Sequence, residues 1–221
     1  MAITTPLVIV NFKAYEKATG KKAVELARAC EKASKLGGAL VVAAVQAADI
    51  FQVSGSVSIP VFAQHVDGIS YGKFTGHTLI EAVKEAGASG TLLNHSEHRL
   101  DFKTLEETIK LCKGRLVTVA CAANDEEAAR VAKLEPDFIA VEIPELISGK
   151  ISIAKADPKL ISDAVEATGK VPVLAGAGVQ DGTDMKKALE LGAKGVLIAN
   201  AVVNSDNPQK AVENLVLGAR R

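Results

Sequence analysis

The 221-residue sequence predicts a single α/β domain, residues 1–221, folded as a closed (β/α)8 barrel. Short apolar runs recur eight times along the chain, stretches with helical spacing separate them, and no linker or composition shift marks a second domain. Parallel strands that alternate with helices permit either an open doubly wound sheet or a closed barrel, and periodicity alone does not separate the two. The eight near-equal units favour the barrel.

The apolar runs are rich in β-branched residues and are continuous rather than alternating in polarity. This pattern is typical of parallel strands that are buried on both faces. The eight predicted strands are residues 7–12, 40–45, 61–65, 91–94, 116–121, 138–142, 171–175 and 196–200.

The segments between these runs have the spacing of amphipathic helices, as in residues 24–33 and 105–112, where apolar residues share one face. Glycines at the ends of such stretches indicate where helices stop, namely Gly37, Gly38, Gly87 and Gly169. Capping residues indicate where helices start, namely Asp101, Asn124, Asp157 and Asp184. A last helix at about residues 208–217 completes the eighth unit.

Composition limits the partners and the compartment. Lys and Arg total 26 and Asp and Glu total 26, so no field that would collect nucleic acid is expected. The three cysteines, Cys30, Cys112 and Cys121, offer neither a complete disulfide framework nor the spacing of a zinc site. The chain starts without a signal-peptide pattern, and no run approaches 18 apolar residues. We therefore expect a cytoplasmic protein that binds neither nucleic acid nor membrane.

Polar residues at the carboxyl ends of strands are the candidates for chemistry, because barrels carry their active sites there. Strand one ends with Asn11 and Lys13, which alternation places on the same side of the chain. Strand four is followed by His95, and backbone N–H groups of Ser96 and Glu97 could point at its ring and keep the imidazole neutral. Taken singly, such a lysine is more often a solvated charge and such a histidine more often structural.

A carboxylate, Glu142, closes the sixth strand. Burial disfavours the charged form of a carboxylate, which makes it readier to take a proton, as a general base must. The alternative is a structural ion pair with a lysine at the barrel mouth. The long segment that follows, residues 143–150, begins with a rigid Ile143-Pro144 and contains Gly149, so we expect a hinged lid.

Strands seven and eight end in small residues, including Gly176, Gly178, Ala199 and Asn200. Small residues let backbone N–H groups approach an anion closely, and in many barrels these two loops bind phosphate. We therefore expect a phosphate site, although the glycine pair could simply serve a tight turn.

Four motifs together resemble the triosephosphate isomerase family: N-x-K at residues 11–13, N-H-S-E at 94–97, A-V-E-x-P-E-L-I at 140–147 and G-A-G-V at 176–179. The resemblance covers essentially the whole chain, and residues 124–136 are similar to the shorter archaeal branch. It implies a TIM barrel that interconverts dihydroxyacetone phosphate and D-glyceraldehyde 3-phosphate through an enediolate, in glycolysis and gluconeogenesis. No metal or organic cofactor is implied.

The resemblance also assigns roles to residues. It implies that Asn11 and Lys13 contact the substrate, that His95 is the electrophile and that Glu142 takes the proton. Glu97 is implied to be the acidic partner near the lysine. Further substrate-binding positions, largely through backbone groups around the phosphate, are Ile147, Gly178, Ala199 and Asn200.

Residues 71–77, from Tyr71 to His77, resemble a protruding loop that reaches into a neighbouring subunit, so a homo-oligomer, dimer or tetramer, is implied. Cys121 matches a position where the family carries cysteine, which we interpret as a buried packing group. The departures from the family pattern are Ile143 in place of proline, Ser148-Gly149-Lys150 at the hinge, Asn200 at a usually smaller position and His98 in place of arginine. They bear on lid closure and on a supporting ion pair more than on the chemistry.

Two other hypotheses remain at the level of sequence. The chain could be another phosphate-binding barrel, similar to ribulose-phosphate epimerase or indole-glycerol-phosphate synthase, although Asn11, Lys13, His95 and Glu142 together disfavour this. It could also be a barrel kept as a binding or scaffold protein whose altered lid does not close productively.

Overall fold

A computed structural model describes residues 3–142 and 153–220 of the chain. Its strands are β1 (Leu7–Asn11), β2 (Leu40–Val45), β3 (Val61–Ala63), β4 (Gly90–Leu93), β5 (Val117–Ala122), β6 (Phe138–Val141), β7 (Val173–Ala175) and β8 (Gly195–Ile198). Each strand pairs in parallel with the next, and β8 pairs with β1, so the sheet is a closed barrel. Closure confirms the predicted barrel over an open doubly wound sheet.

Helices follow the strands and cover the outside of the sheet. They are α1 (Lys21–Ser34), α2 (Ile50–Ser54), α3 (Ile80–Glu85), α4 (Phe102–Cys112), α5 (Asp125–Ala132), α6 (Ile153–Ala156), α7 (Pro158–Thr168), α8 (Gly182–Glu190), α9 (Asn200–Val203) and α10 (Pro208–Gly218). Two short 3-10 turns, Glu16–Ala18 and Ala47–Asp49, lie in the loops after β1 and β2. Among the described residues, no helix is both long and apolar enough to span a bilayer.

Alternate residues of each strand belong to two separate apolar layers. One layer fills the barrel interior and consists of Leu7, Ile9, Val42, Ala44, Phe62, Leu92, Val119, Cys121, Phe138, Ala140, Leu174 and Leu197. The other layer lies between the sheet and the helices and includes Val8, Val10 and Phe12 from β1 and the turn after it. The strands are therefore buried on both faces, which explains their continuous apolar pattern.

The inward-facing layer predicts which residues reach the mouth of the barrel. Side chains two positions apart on a strand share a face, so Asn11 continues the line of Ile9. Glu142 likewise continues the line of Ala140, and Gly176 that of Leu174. These three positions therefore face the same space at the mouth of the barrel.

Most helix starts lie where the capping residues predict. Asp101, Asn124 and Asp157 accept the backbone N–H of Thr104, Glu127 and Leu160, respectively. The prediction for Asp184 is wrong, because Asp181 caps α8 and accepts the N–H groups of Thr183 and Asp184. Asp184 is fully buried in the first turn, and its carboxylate accepts the N–H of Gln180.

Three predicted strands extend two residues too far. The third strand ends at Ala63 rather than at residue 65, and the seventh begins at Val173 rather than at residue 171. The eighth ends at Ile198 because Asn200 already begins α9. The residue pattern alone does not show where strand pairing starts and stops.

Candidate active site

The carboxyl ends of β1, β4, β6, β7 and β8 surround a cleft of about 430 Å³ at the mouth of the barrel. Its lining consists of Asn11, Lys13, His95, Glu142, Gly176, Gly178, Val179, Gln180, Leu197, Ile198, Ala199, Asn200 and Ala201. Most of the residues predicted for the site therefore meet at one place. The predicted residue Ile147 and the predicted lid, residues 143–150, lie outside the described residues.

Asn11 and Lys13 both line the cleft, whereas Phe12 between them is buried in the outer layer, as alternation predicts. The Lys13 backbone has φ of 48°, a left-handed conformation that is uncommon for a residue other than glycine. Two hydrogen bonds support this turn. The Lys13 N–H donates to Asn11 Oδ1 at 3.0 Å, and Gln64 Nε2 donates to the Lys13 carbonyl at 3.0 Å.

The Lys13 ammonium forms an ion pair with Glu97, and its Nζ lies 2.6 Å from Glu97 Oε1. The lysine side chain is 10% exposed and the glutamate side chain 58% exposed. The pair therefore places the positive charge in the wall of the cleft and the negative charge nearer solvent. The structure brings together the lysine and the acidic residue that the resemblance implied to be partners.

His95 is buried and its two ring nitrogens face different groups. Nδ1 accepts the backbone N–H of Glu97 at 3.1 Å, and Nε2 lies 3.4 Å from Glu142 Oε1. A nitrogen that accepts a hydrogen bond carries no proton, so in this arrangement the ring is neutral and its proton is on Nε2. The expected N–H donor from Glu97 is present. No such donation from Ser96 occurs among the described contacts.

Glu142 follows β6 directly and is only 4% exposed. Its backbone N–H donates to the carbonyl of Ala122 at 2.9 Å, which anchors the residue to the neighbouring strand. Among the described residues, its Oε2 has no hydrogen-bond partner. Lys13 pairs with Glu97 instead, so the described contacts do not support the alternative of a structural ion pair between Glu142 and a mouth lysine.

Two neighbours define the space that the Glu142 side chain occupies. At Gly176, a Cβ atom would lie 2.6 Å from Glu142 Cγ and 3.1 Å from the carbonyl oxygen of Val141, so no larger residue fits without movement. Cys121 lies beneath, in the barrel interior. Burial raises the pKa of the Cys121 thiol well above its usual range, and the negative charge of Glu142 adds to this shift. The thiol is therefore a protonated packing group beside the carboxylate.

The opposite end of the cleft consists of small residues and backbone. Gly178 has φ of 65° and Ala199 precedes α9, whose first residue is Asn200. The first N–H groups of a helix have no partner within the helix, so those of Asn200 and Ala201 suit an anion. The Asn200 side chain accepts a hydrogen bond from Asn204 Nδ2 at 2.8 Å.

Sequence reasoning missed Gln64 and Gln180. Gln64 lies two residues after the inward-facing Phe62, so strand parity could have placed it at the mouth. Gln180 follows the glycine-rich segment and donates from Nε2 to the Gly178 carbonyl at 3.0 Å. No sequence signal pointed to Gln180 because its role depends on the path of the loop.

A closed (β/α)8 barrel whose mouth holds an imidazole, a buried carboxylate and an ammonium defines the class of the protein: it is a (β/α)8 barrel with the groups of an acid–base enzyme. Comparison with known sequences makes this more specific. The sequence model described as triosephosphate isomerase matches residues 6–215.

Three archaeal relatives, each named triosephosphate isomerase, align with nearly the full length of the chain. The protein of Methanosarcina acetivorans is 44% identical over 217 residues, which cover 96% of this chain and 98% of the relative. That of Methanobrevibacter smithii is 44% identical over 219 residues, or 97% and 99% of the two chains. That of Methanocaldococcus jannaschii is 42% identical over 215 residues, or 95% and 98%.

The chain therefore belongs to the triosephosphate isomerase family. The predicted enzyme class, an isomerase, is confirmed by this membership. The alternative of an epimerase-like or synthase-like phosphate barrel is excluded.

Proposed function

We propose that the chain interconverts dihydroxyacetone phosphate and D-glyceraldehyde 3-phosphate, and that Glu142, His95 and Lys13 carry the reaction. The observation that supports these roles best is the 3.4 Å separation of His95 Nε2 and Glu142 Oε1 beside the Lys13 ammonium in one cleft. To move a proton between neighbouring carbons, a base must reach both carbons and a hydrogen-bond donor must reach the oxygens that they carry. This arrangement is suited to such a transfer.

Glu142 is proposed as the base. Its carboxylate takes a proton from the carbon beside the carbonyl of dihydroxyacetone phosphate, and the C–H electron pair moves to form the enediolate. The same carboxyl group then returns a proton to the neighbouring carbon, which gives the aldehyde. The buried position and the unpartnered Oε2 leave the carboxylate available for this step.

His95 and Lys13 are proposed to stabilise the charge that develops on oxygen. Because Nδ1 accepts the Glu97 N–H, the proton of a neutral His95 is on Nε2, the nitrogen that faces Glu142. A neutral imidazole can donate to the carbonyl oxygen and move protons between the two substrate oxygens. In triosephosphate isomerases a glutamate base acts together with a neutral histidine, and we assign these roles to Glu142 and His95 by their positions. Lys13 adds a fixed positive charge, and Asn11 supports the lysine backbone.

The phosphate is proposed to bind at the small-residue end of the cleft, through backbone groups of Gly178, Ala199 and Asn200. Glu97 is proposed to keep the Lys13 ammonium in place. Ile147 is proposed to contact the substrate from the lid, residues 143–150. A closed lid would protect the enediolate, which can lose phosphate when it meets water.

The whole chain, residues 1–221, is proposed to form one domain that self-associates in the cytoplasm. Tyr71 and Phe74 of the loop at residues 71–77 are 74% and 44% exposed, so two aromatic side chains of this loop are accessible to a second subunit.

The proposed cytoplasmic location is supported by the cysteines. Cys30, Cys112 and Cys121 are all free and buried, which suits a reducing compartment.

Turnover of dihydroxyacetone phosphate in D2O tests the proposed function. Nuclear magnetic resonance of the trapped product should show isomerisation with deuterium on the carbon that receives the proton, because the carboxyl group exchanges with solvent between the two transfers. A product that carries no solvent deuterium would contradict a base whose proton exchanges with solvent. No turnover would contradict the isomerase proposal and favour the scaffold hypothesis.

A further inference from the structure

Asn94, the residue before His95, has an unusual backbone conformation on which the direction of His95 depends. It follows the last residue of β4 and has φ of 58°, in the left-handed region. Asparagine adopts this conformation more readily than most residues, yet it still requires support from its surroundings. The turn redirects the chain so that His95, rather than Asn94, faces the cleft.

Hydrogen bonds hold the Asn94 side chain from two sides. Its Nδ2 donates to the Cys121 carbonyl at 2.9 Å, and its Oδ1 accepts the N–H of Leu100 at 3.0 Å. Nδ2 also lies 3.4 Å from Glu127 Oε1. The side chain is only 2% exposed, so these contacts are shielded from water.

The carbonyl of Asn94 belongs to the peptide bond that leads directly into His95. Arg99 donates from one guanidinium nitrogen to this carbonyl at 3.4 Å, and its other terminal nitrogen pairs with Glu127 Oε1. A planar guanidinium can bridge two acceptors in a fixed geometry, which a lysine does less well. Arg99 therefore joins the peptide before the histidine to a carboxylate on another element.

Glu127 is itself fixed by the start of α5. Its backbone N–H donates to Asn124 Oδ1 at 2.7 Å, and its Oε2 accepts the N–H of Ala123 at 2.7 Å. The carboxylate is thus held by the segment that leaves β5. Its other oxygen is left to face Arg99 and Asn94.

We propose that Arg99 and Glu127 are positioning residues that set the orientation of His95 through the left-handed Asn94. The inference rests on the proposed role of His95 as the electrophile. Neither residue lines the cleft, so neither touches the substrate. Their effect on catalysis comes from the distance and angle of the imidazole, to which the transition state is more sensitive than the bound substrate.

The chain offers a closely matched control pair. Arg99 and Glu127 are 43% and 21% exposed, while the ion pair between Arg115 and Glu81 is 44% and 22% exposed. Arg115 precedes β5, at the end of the strand that lies away from the cleft. Each substitution removes an ion pair of comparable exposure, but only the Arg99–Glu127 pair contacts the turn before His95.

The test compares steady-state kinetics of Arg99→Met and Glu127→Gln with Arg115→Met and Glu81→Gln. We expect the first two variants to lose about 10- to 100-fold in kcat with KM changed less than about threefold, because a misplaced catalytic group costs rate more than binding. The double variant should be little slower than the worse single variant, since both residues act through the same turn at Asn94. The control variants should keep kcat within about twofold of the unchanged chain.

Two further measurements separate positioning from general destabilisation. Affinity for phosphoglycolate, an analogue of the enediolate, should fall with kcat, whereas affinity for inorganic phosphate should not change. Arg99→Lys keeps a cation beside Glu127 and should retain more turnover than Arg99→Met. If Arg99→Met does not fold, the isosteric Glu127→Gln and the Arg99→Lys variant give the same comparison.

The outcomes distinguish this inference from the proposed function. An inactive unchanged chain, or a His95→Gln variant with unchanged turnover, would contradict the role of His95 itself. An active chain that His95→Gln slows, but whose Arg99 and Glu127 variants match the Arg115 and Glu81 controls, would overturn the positioning role alone.

Discussion

The Glu142 carboxylate occupies a space that exists because residue 176 has no side chain. A Cβ at Gly176 would lie 2.6 Å from Glu142 Cγ, a distance at which something must move. The Val141 carbonyl lies 3.1 Å from the same point, so the backbone blocks one direction of relief. The carboxylate is then the group that must shift, and its position relative to His95 must change with it.

Gly176→Ala should therefore lower kcat by at least about tenfold, because a catalytic carboxylate displaced by a fraction of an ångström loses alignment with the substrate carbon. The measurement is steady-state turnover with glyceraldehyde 3-phosphate. Gly218→Ala is the matched control, since its Cβ would also meet a backbone atom, the Gly182 oxygen at 2.2 Å, but away from the cleft. Equal kcat values for the two variants would show that the space at residue 176 does not matter to the base.

At the scale of elements, α8 and α10 approach each other closely at two glycines. A Cβ at Gly182 would lie 2.3 Å from the Asn214 carbonyl oxygen, and a Cβ at Gly218 would lie 2.2 Å from the Gly182 oxygen. The backbone atoms of the two helices are in close contact here, so a side chain at either position would separate the helices. The glycine-rich segment at residues 176–178 precedes α8, and α10 is the last helix, so this contact joins the helices of the seventh and eighth units.

Gly218→Ala should destabilise the protein although alanine is the better helix former. The gain in helix propensity is at most about 1 kcal/mol, whereas overpacking a tight contact costs about 1–3 kcal/mol. Urea denaturation should show a lower midpoint at an unchanged slope. Gly55→Ala, where the nearest atom would be the Phe51 carbonyl oxygen at 3.3 Å, should lower the midpoint much less. A Gly218→Ala midpoint as high as that of Gly55→Ala would contradict the close contact.

The buried thiols affect the whole molecule at alkaline pH. Burial raises the pKa of Cys30 and of Cys112 to about 12. A thiol in the unfolded chain titrates near pH 8.5, so above that pH the unfolded state loses a proton that the folded state keeps. Stability from such a thiol is fully present below about pH 8.5 and decreases as the pH rises toward 12, by at most about 1.4 kcal/mol per pH unit for each thiol.

Cys30→Ala tests this linkage. The free energy of unfolding, measured in urea between pH 8 and 11, should decrease less steeply with pH in the variant than in the unchanged chain. The cavity left by the sulfur lowers stability at every pH and does not change the slope. Identical slopes would show that Cys30 is not kept protonated by folding.

Self-association should depend on the loop at residues 71–77. Phe74→Ser should shift the sedimentation coefficient toward that of a monomer, because loss of an apolar anchor weakens an interface strongly. Leu217→Ser is the control, since Leu217 on α10 is also 44% exposed. A monomeric unchanged chain, or an equal shift in both variants, would contradict an interface at this loop.

Much of the fold follows from the sequence because each strand carries a continuous apolar run and most helix starts carry a capping side chain. Asp184 shows where this fails: two aspartates lie within one turn, and only the geometry of the chain decides that Asp181 is the cap. The start of α9 at Asn200 was equally hidden, since a four-residue helix has too few residues for a periodic pattern.

The site was predictable where a polar residue ends an apolar strand, as with Asn11 and Glu142. Strand parity aims these side chains inward, so the sequence contains their direction. The orientation of His95 was not predictable in this way, because it depends on the left-handed Asn94 and on contacts from Arg99 and Glu127. Such contacts join segments that are distant in sequence and have no local pattern.

In the proposed reaction, the buried carboxylate of Glu142 moves the proton while His95 and Lys13 stabilise the charge on oxygen. The most direct test is the kcat of Glu142→Asp, which retracts the carboxylate by one methylene and preserves its charge. We expect kcat to decrease by at least about 100-fold and KM to change by only a few-fold, because the loss falls on the transition state. A variant that turns over glyceraldehyde 3-phosphate as fast as the unchanged chain would contradict it.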